Sequence, residues 1–493
     1  STITVAAGVT SGANFLGGNS ITLSGTIKLL TATQWTITNF MEPTAMLTIG
    51  SITSVDTGNT TRTLNFRGYG ATTIAGTISD GTASATAVNV AVMNNIVALN
   101  SASPFTGGLT LGQGTLILNN ASVSPSASVL GASSGTFSFT GSEMRSNFNL
   151  TGASALLNPV YLLGTEAAIL SGTSGIEFAG PITNNGGNRL LENDITGGSL
   201  ILSGSLSLSE GGTLRSLYLQ GTGNTLVSSN ISDGGTIGSS LYYQGTGMLS
   251  LTGVNTMTGT LGVMRGVVTM SGSSGGAALT ASSLILASGG TLILDDSNGV
   301  NGGGRLGTSL PVNSYAGALQ LTGNASNVTL GTLNLFGATS SLLMSGAGSN
   351  SLTFNALNLA NTGSSLDLSA VSNLGTSNKI LFTGTTGLGL TNGIVPRVFV
   401  GSDFATYGGT SGFTPFTAYT GTVNIDMLGV TSNGSLSSSS TLTAARTINS
   451  LKIIGGSISG AGQALNIVSG GLLATGGTST INTALVASGT ILE

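Results

Sequence analysis

The chain has 493 residues with 79 Gly, 8 Pro and only 6% charged residues, far from the roughly 25% charge of an ordinary soluble protein. It holds no Cys and no His, which excludes disulfides, thiol nucleophiles, imidazole general bases and most transition-metal sites together. A formal net charge of -4, with 12 Lys and Arg in no basic run, leaves no electrostatic footprint for nucleic acid.

Hydrophobic residues make up 40% of the chain and aromatic ones 5%, so the core must be thin layers of small aliphatic side chains covered by Ser, Thr and Asn. That much Val, Ile and Leu at such low charge argues against disorder. In residues 1–63 short alternating runs (Ile3-Thr4-Val5, Ile21-Thr22-Leu23, Thr26-Ile27-Lys28) are spaced by Gly-containing turns, each run one side of a coil. Residues 31–50 depart from that rhythm and hold the single tryptophan, Trp35, with Phe40, Met41, Glu42 and Pro43. They read as a bulkier core or cap insertion in preference to an aromatic binding platform.

Residues 64–392 form the main repeat region. Its clearest unit is 247–272, GMLSLTGVNTMTGTLGVMRGVVTMSG, where apolar residues alternate between Gly-Thr turns. A second copy lies at 96–120, with Phe105-Thr106-Gly107 where Met257-Thr258-Gly259 stands. Ile78-Ser79-Asp80-Gly81 precedes one copy and Ile231-Ser232-Asp233-Gly234 the other, so the two Asp are 153 positions apart and the two Thr 152. Two anchors holding nearly one offset argue for duplication. Leu284-Ile285-Leu286, Leu319-Gln320-Leu321 and Leu333-Asn334-Leu335 continue the pattern, and helical signals are nearly absent. Coils of about 20 to 25 residues cannot offset their own backbone entropy, so about twenty of them are expected to stack about 4.8 Å apart.

Residues 393–422 are the densest aromatic segment, with Phe399, Phe404, Tyr407, Phe413, Phe416 and Tyr419, and are expected to interrupt the coils. Residues 423–493 resume them. Mean hydropathy is +0.39, yet the most apolar run, 85–99, is broken by Asn89, Asn94 and Asn95; no segment reaches the roughly 18 apolar residues of a spanning helix. Without an initiator Met or a basic leader, and stopping on Ile491-Leu492-Glu493 in mid-alternation, the chain is expected to be a processed or excised piece.

LTGVNTMTGTLGVMRGVVTM at 251–270 and SASPFTGGLTLGQGTLIL at 101–118 resemble the hallmark repeat of the autotransporter-associated β-strand repeat proteins, large surface proteins of Gram-negative bacteria. VGSDFATYGG at 400–409 with FTPFTAYT resembles the segment such proteins carry between coil arrays, and TLTAARTINSLKIIGG with LNIVSGGLLATGG resembles the array after it. The resemblance implies a right-handed parallel β-helix, that is a β-solenoid, exported to the cell surface and often followed by an outer-membrane barrel. No barrel strands are recognised in this sequence.

Candidate sites are few. Asp295-Asp296 with Arg305 is the best charged group for acid–base chemistry, but adjacent strand residues point to opposite faces and Ser297-Asn298-Gly299 reads as a turn. Glu192, Asn193 and Asp194 fare no better as a site, and Asp80 and Asp233 stand in Asp-Gly corners. The sequons at Asn59, Asn324 and Asn327 are what an Asn-, Ser- and Thr-rich chain produces by chance, and Gly302-Gly303-Gly304 lacks the Lys-Ser/Thr of a phosphate loop. No catalytic, cofactor-binding or metal-ligating residue is assigned. The expected role is non-enzymatic: a structural protein of the bacterial surface or extracellular matrix, self-assembling head to tail or continued by a longer chain. An autotransporter-type adhesin bearing a glycan or other surface ligand, and a polysaccharide-active β-helix enzyme, are the alternatives; an acidic–basic cluster on one face of consecutive coils would favour the enzyme.

Overall fold

The computed structural model describes residues 3–5, 12–29, 33–55, 61–82, 85–90, 96–273, 280–299, 303–361, 363–384, 388–421 and 424–487. It is all-β, its strands stacked in parallel as a β-solenoid of about 18 turns. Among the described residues the helical pieces are two single turns, Gly152–Ser154 and Ile425–Met427. The expected sequon at Asn59 and the apolar end at Thr490, Ile491 and Leu492 lie outside the described residues. The chain forms two compact units, 1–261 with 266–269, and 262–265 with 270–493.

In the first unit the coils build three faces. The first face runs from Ala13–Gly17 through Gln34–Met41 and Arg62–Gly68 to Ile231–Ser232. The second runs from Ile21–Leu23 through Met46–Ile49 and Ala71–Ile74 to Ser240–Tyr243. The third holds Ile27–Leu29, Ile52–Ser54 and Ile78–Ser79, and is regular again from Ile176–Phe178 to Met248–Leu251. Between those stretches it is irregular: the Ile78 amide donates to Ser103 Oγ (3.0 Å), Ser103 bridges Ser128, and Leu150 bridges Ile176.

Strand alternation explains the core. On the second face Leu47, Thr72, Val97, Leu116, Met144 and Leu170 occupy one register position in consecutive coils, and all are buried. Each aliphatic among them contributes about 1.5–3 kcal/mol of burial, which no coil collects until its neighbours cover it. Trp35 belongs to this pattern. It is 3% exposed on Gln34–Met41, a strand paired in parallel with Ala13–Gly17 on one side and Arg62–Gly68 on the other. Trp35 is therefore a core residue of an ordinary coil, neither an insertion nor a platform, and strand pairing runs unbroken past residue 63.

The duplication is visible as repeated contacts. Asn39 Nδ2 donates to the Ala71 carbonyl (2.8 Å) and Thr72 Oγ1 (3.2 Å), and its Oδ1 accepts from the Met41 amide (3.0 Å). Asn193 makes the same set with Asn224 (2.9 Å), Thr225 (3.0 Å) and Ile195 (3.1 Å). Gly68 and Gly221, at φ +110° and +111°, pass so close to Asn39 and Asn193 that a Cβ would sit 2.0 and 2.1 Å from their carbonyl oxygens. The copies nevertheless occupy different faces. Arg62–Gly68 is on the first face and its counterpart Ser216–Gln220 on the second; Ala71–Ile74 is on the second and Asn224–Val227 on the third; Ile78–Ser79 is on the third and Ile231–Ser232 on the first.

The second unit again has three faces. One runs from Ser283–Ala287 to Leu357–Leu359, one from Gly290–Asp295 to Ser365–Asp367 and Val395–Val400, and one comprises Asn327–Leu330, Asn350–Phe354 and Asn378–Phe382. The aromatic segment then breaks the parallel order as expected: Val395–Val400, Asp403–Gly408 and Gly412–Pro415 form an antiparallel meander. It closes the last of those faces. Phe354 and Phe382 stack at 5.6 Å, and where the next rung would follow, Phe413 meets Phe382 edge-on at 5.7 Å. The Tyr407 hydroxyl accepts from the Phe382 amide (2.8 Å) and donates to its carbonyl (3.2 Å), taking the hydrogen bonds that another strand would make. Gly412, at φ +71°, lies so near Ile380 that a Cβ would be 2.1 Å from its carbonyl oxygen. Beyond the meander, parallel coils resume in Asn433–Leu436, Arg446–Ile454, Ser457–Thr475 and Thr480–Ala487. Their Leu473 and the nearby Tyr419 pack on Ile394, Phe404 and Phe416, and Lys452 pairs with Asp403 beneath the Tyr419 ring.

Phe413→Ala is expected to lower the unfolding free energy of the second unit by about 3–5 kcal/mol, read by denaturant titration. Tyr407→Phe is expected to cost less while raising amide exchange at Phe382, because it frees that edge without emptying the core.

Candidate functional site

Among the described residues, charged and aromatic side chains gather over consecutive coils on the outward side of the second face in the first unit. Ser142–Ser146 turns out Glu143 and Arg145, Ala168–Gly172 turns out Ile169 and Ser171, and Arg189–Ile195 turns out Glu192 and Asp194. Ser216–Gln220 and Ser240–Tyr243 then present Tyr218, Gln220 and Tyr242. This is the acidic–basic cluster on one face that would favour an enzyme, so the state of its carboxylates decides its reading.

Each carboxylate is engaged by a neighbouring coil. Glu143 accepts from Thr115 Oγ1 at 3.0 Å on one side and from the Ser171 hydroxyl on the other. Glu192 accepts from Gln220 Nε2 (2.9 Å), whose Oε1 accepts from Gln244 Nε2 (2.9 Å), extending the ladder over three coils. The Tyr218 and Tyr242 rings stack at 5.1 Å beside it. Asp194 accepts from both the amide and the hydroxyl of Thr222, each at 2.9 Å.

That last arrangement recurs. Asp80 accepts from the Thr106 amide (3.1 Å) and hydroxyl (2.6 Å), and Asp233 from the Thr258 amide (3.0 Å) and hydroxyl (2.6 Å). In the second unit Asp426 holds the amide (2.9 Å) and hydroxyl (2.6 Å) of Thr443, with Arg446 at 3.2 Å. A carboxylate gripping two donors of one Thr makes charge-assisted bonds, each worth about 1.5–3 kcal/mol when not fully exposed. The Thr of the Phe-Thr-Gly and Met-Thr-Gly motifs is thus the residue by which one coil is fastened to the coil before it.

Asp80 and Asp233 do stand at corners, but as inter-coil clasps. Glu192 and Asp194 lie on a strand whose intervening Asn193 is buried, and that polar inward residue is what disguises the alternation. Asp295 and Asp296 are not brought together. Asp295 accepts from the Ser297 amide (3.1 Å) in the expected turn, whereas Asp296 is wholly buried and ion-paired with the equally buried Arg305. Arg305 Nη2 also donates to the Asp295 carbonyl (2.6 Å), making Arg305 an internal brace. Where such a pair is buried, removing one partner costs about 3–5 kcal/mol, so any loss of function in Asp296→Asn would report unfolding. Arg215 pairs with Glu210 at 2.8 Å and holds its carboxyl below the usual range; burial and Arg215 together depress the Arg189 guanidinium beside them. No group of three or more acidic residues able to hold a metal ion occurs among the described residues. No helix of the described residues is long and apolar enough to cross a membrane. No family, curated protein or solved structure matches the chain.

Asp233→Ala is expected to speed amide exchange at Thr258 and to lower the stability of the first unit by about 2 kcal/mol or more, with Asp233→Asn restoring part of the loss. For Asp426 the Thr443 hydroxyl and amide, then Arg446, hold the carboxyl at about 2. Its folded value lies below the unfolded one of about 3.9, so its stabilisation is complete above that pH and is lost as pH falls through about 2. Thr443 amide protection should survive at pH 3 and disappear by about pH 1.5, a dependence that Asp426→Asn removes.

Proposed function

We propose that the chain is a non-enzymatic structural protein, a stack of coils displayed at a bacterial surface or in an extracellular matrix, where it assembles into a fibre or layer. The observation that carries this reading is that the carboxylates of this charged strip are engaged by neighbouring coils: Glu143, Glu192 and Asp194 all serve as acceptors for side chains one coil away. Acid–base catalysis needs a carboxyl group that can present a proton to a substrate, and here the partners of these carboxylates are groups of the neighbouring coils. The surface and matrix setting rests on the resemblance of the repeats to bacterial surface proteins. A formal charge of only -4 offers little repulsion to assembly.

The adhesin alternative draws less support. Repetition multiplies a ligand site when the copies fall on one face, and here the two copies fall on adjacent faces. One observation favours glycan contact: the half-buried Tyr218 and Tyr242 rings flank a row of amides at Gln220 and Gln244.

The protein is expected to release no reducing ends or unsaturated products from a panel of neutral and acidic polysaccharides, while Glu143→Ala and Glu192→Ala lower its melting temperature. Turnover that Glu192→Gln abolishes with the fold intact would overturn the reading in favour of the enzyme.

A further inference from the structure

We infer that the three faces of the coil are interchangeable, so that the interval of 153 residues between corresponding positions of the two copies can be excised and the stack closes on itself with the coils that follow turned by one face. This rests on contacts within the first unit and does not depend on the proposed function.

Residues 62–81 and 215–234 correspond position by position at that single offset. From Arg62–Gly68 on the first face to Ser216–Gln220 on the second is six coils and one further face, along the sheet order through Ala71–Ile74, Ile96–Leu99, Thr115–Leu118, Ser142–Ser146, Ala168–Gly172 and Arg189–Ile195. A copy moved by one face keeps its contacts: the Asn39 and Asn193 bonds agree within 0.2 Å. The corners agree as well. Ile78 donates to Ser103 (3.0 Å) as Ile231 does to Asn255 (3.2 Å), and Asp80 holds Thr106 as Asp233 holds Thr258. Whatever distinguishes one face from another is therefore not needed to form the coil.

Joining Asp80 to Gly234 removes residues 81–233 and creates one new interface. Ser240–Tyr243 and Met248–Leu251, which rest on Ser216–Gln220 and Asn224–Val227, would rest on Arg62–Gly68 and Ala71–Ile74. Leu64 takes the place of Leu217, Thr72 of Thr225 and Asp80 of Asp233. Phe66 is the misfit, because it stands where Leu219 faces the buried Tyr243; the excision is therefore made with Phe66→Leu, which restores the native volume.

The test is the excised protein, with a second variant lacking residues 69–221 that joins Gly68 to Thr222 by the same correspondence. Both are expected to show the β-type circular dichroism of the full chain and cooperative unfolding. In the first, Asp80→Ala should speed amide exchange at Thr258 roughly tenfold or more, since Asp80 has inherited that clasp; in the full chain the same substitution should leave Thr258 unchanged. The inference is overturned if both excised proteins aggregate or unfold without a transition, or if the first folds and its Thr258 exchange is indifferent to Asp80.

Discussion

Everything in this fold follows from the parallel ladder that joins each coil to the next. It sets the coils about 4.8 Å apart and places each side chain directly over its register partner. Like charges at that separation repel by about 1 to 4 kcal/mol, depending on how well water screens them. Stacking of like charges is therefore disfavoured, and only 6% of the residues are charged. On the second face the rule is visible where Ile169 separates Glu143 from Glu192. The polar groups that can repeat are those that donate and accept at once, as in the ladders Asn100–Asn119–Asn147 and Asn313–Asn334–Asn358, where each amide hydrogen-bonds the next at 2.7–3.0 Å.

The few carboxylates then acquire a defined place. An Asp at a corner cannot sit beneath another Asp, but it fits beneath a Thr, whose amide and hydroxyl converge on it. Asp-Gly and Thr-Gly in the repeats are two halves of one interaction, separated by a full coil. Fastening corners in this way complements the backbone ladders, which run through the strands and stop where the chain turns.

How much of this was legible depended on the range of the interaction. Period-two alternation between glycines is local, and it led directly to a helix-poor solenoid. The duplication was legible because Asp80 and Asp233 keep their offset; the displacement by one face was not, since register spacing on the second face varies from 19 to 28 residues and the sequence does not count coils. The clasps were missed because Asp-Gly has a sufficient local explanation, while the Thr lies 25 or 26 residues on. Asn193 and the brace between Asp296 and Arg305 were missed for another reason: inward polar residues look like interruptions until the partner that satisfies them is known. Trp35 misled by size alone, since one large ring occupies the interior of an otherwise aliphatic coil.

The closure at Tyr407 has a mechanical consequence. Tension applied along the axis of stacked coils is carried from coil to coil in series, so the assembly is as strong as its least bonded junction. Throughout the coils of the second unit that load crosses rows of backbone hydrogen bonds on several faces. Over Phe382 it crosses one phenol hydroxyl and the edges of aromatic rings. The same junction is bridged on the neighbouring face by the pairing of Ser365–Asp367 with Val395–Val400, so the load is shared unevenly there, with one face held by side chains alone.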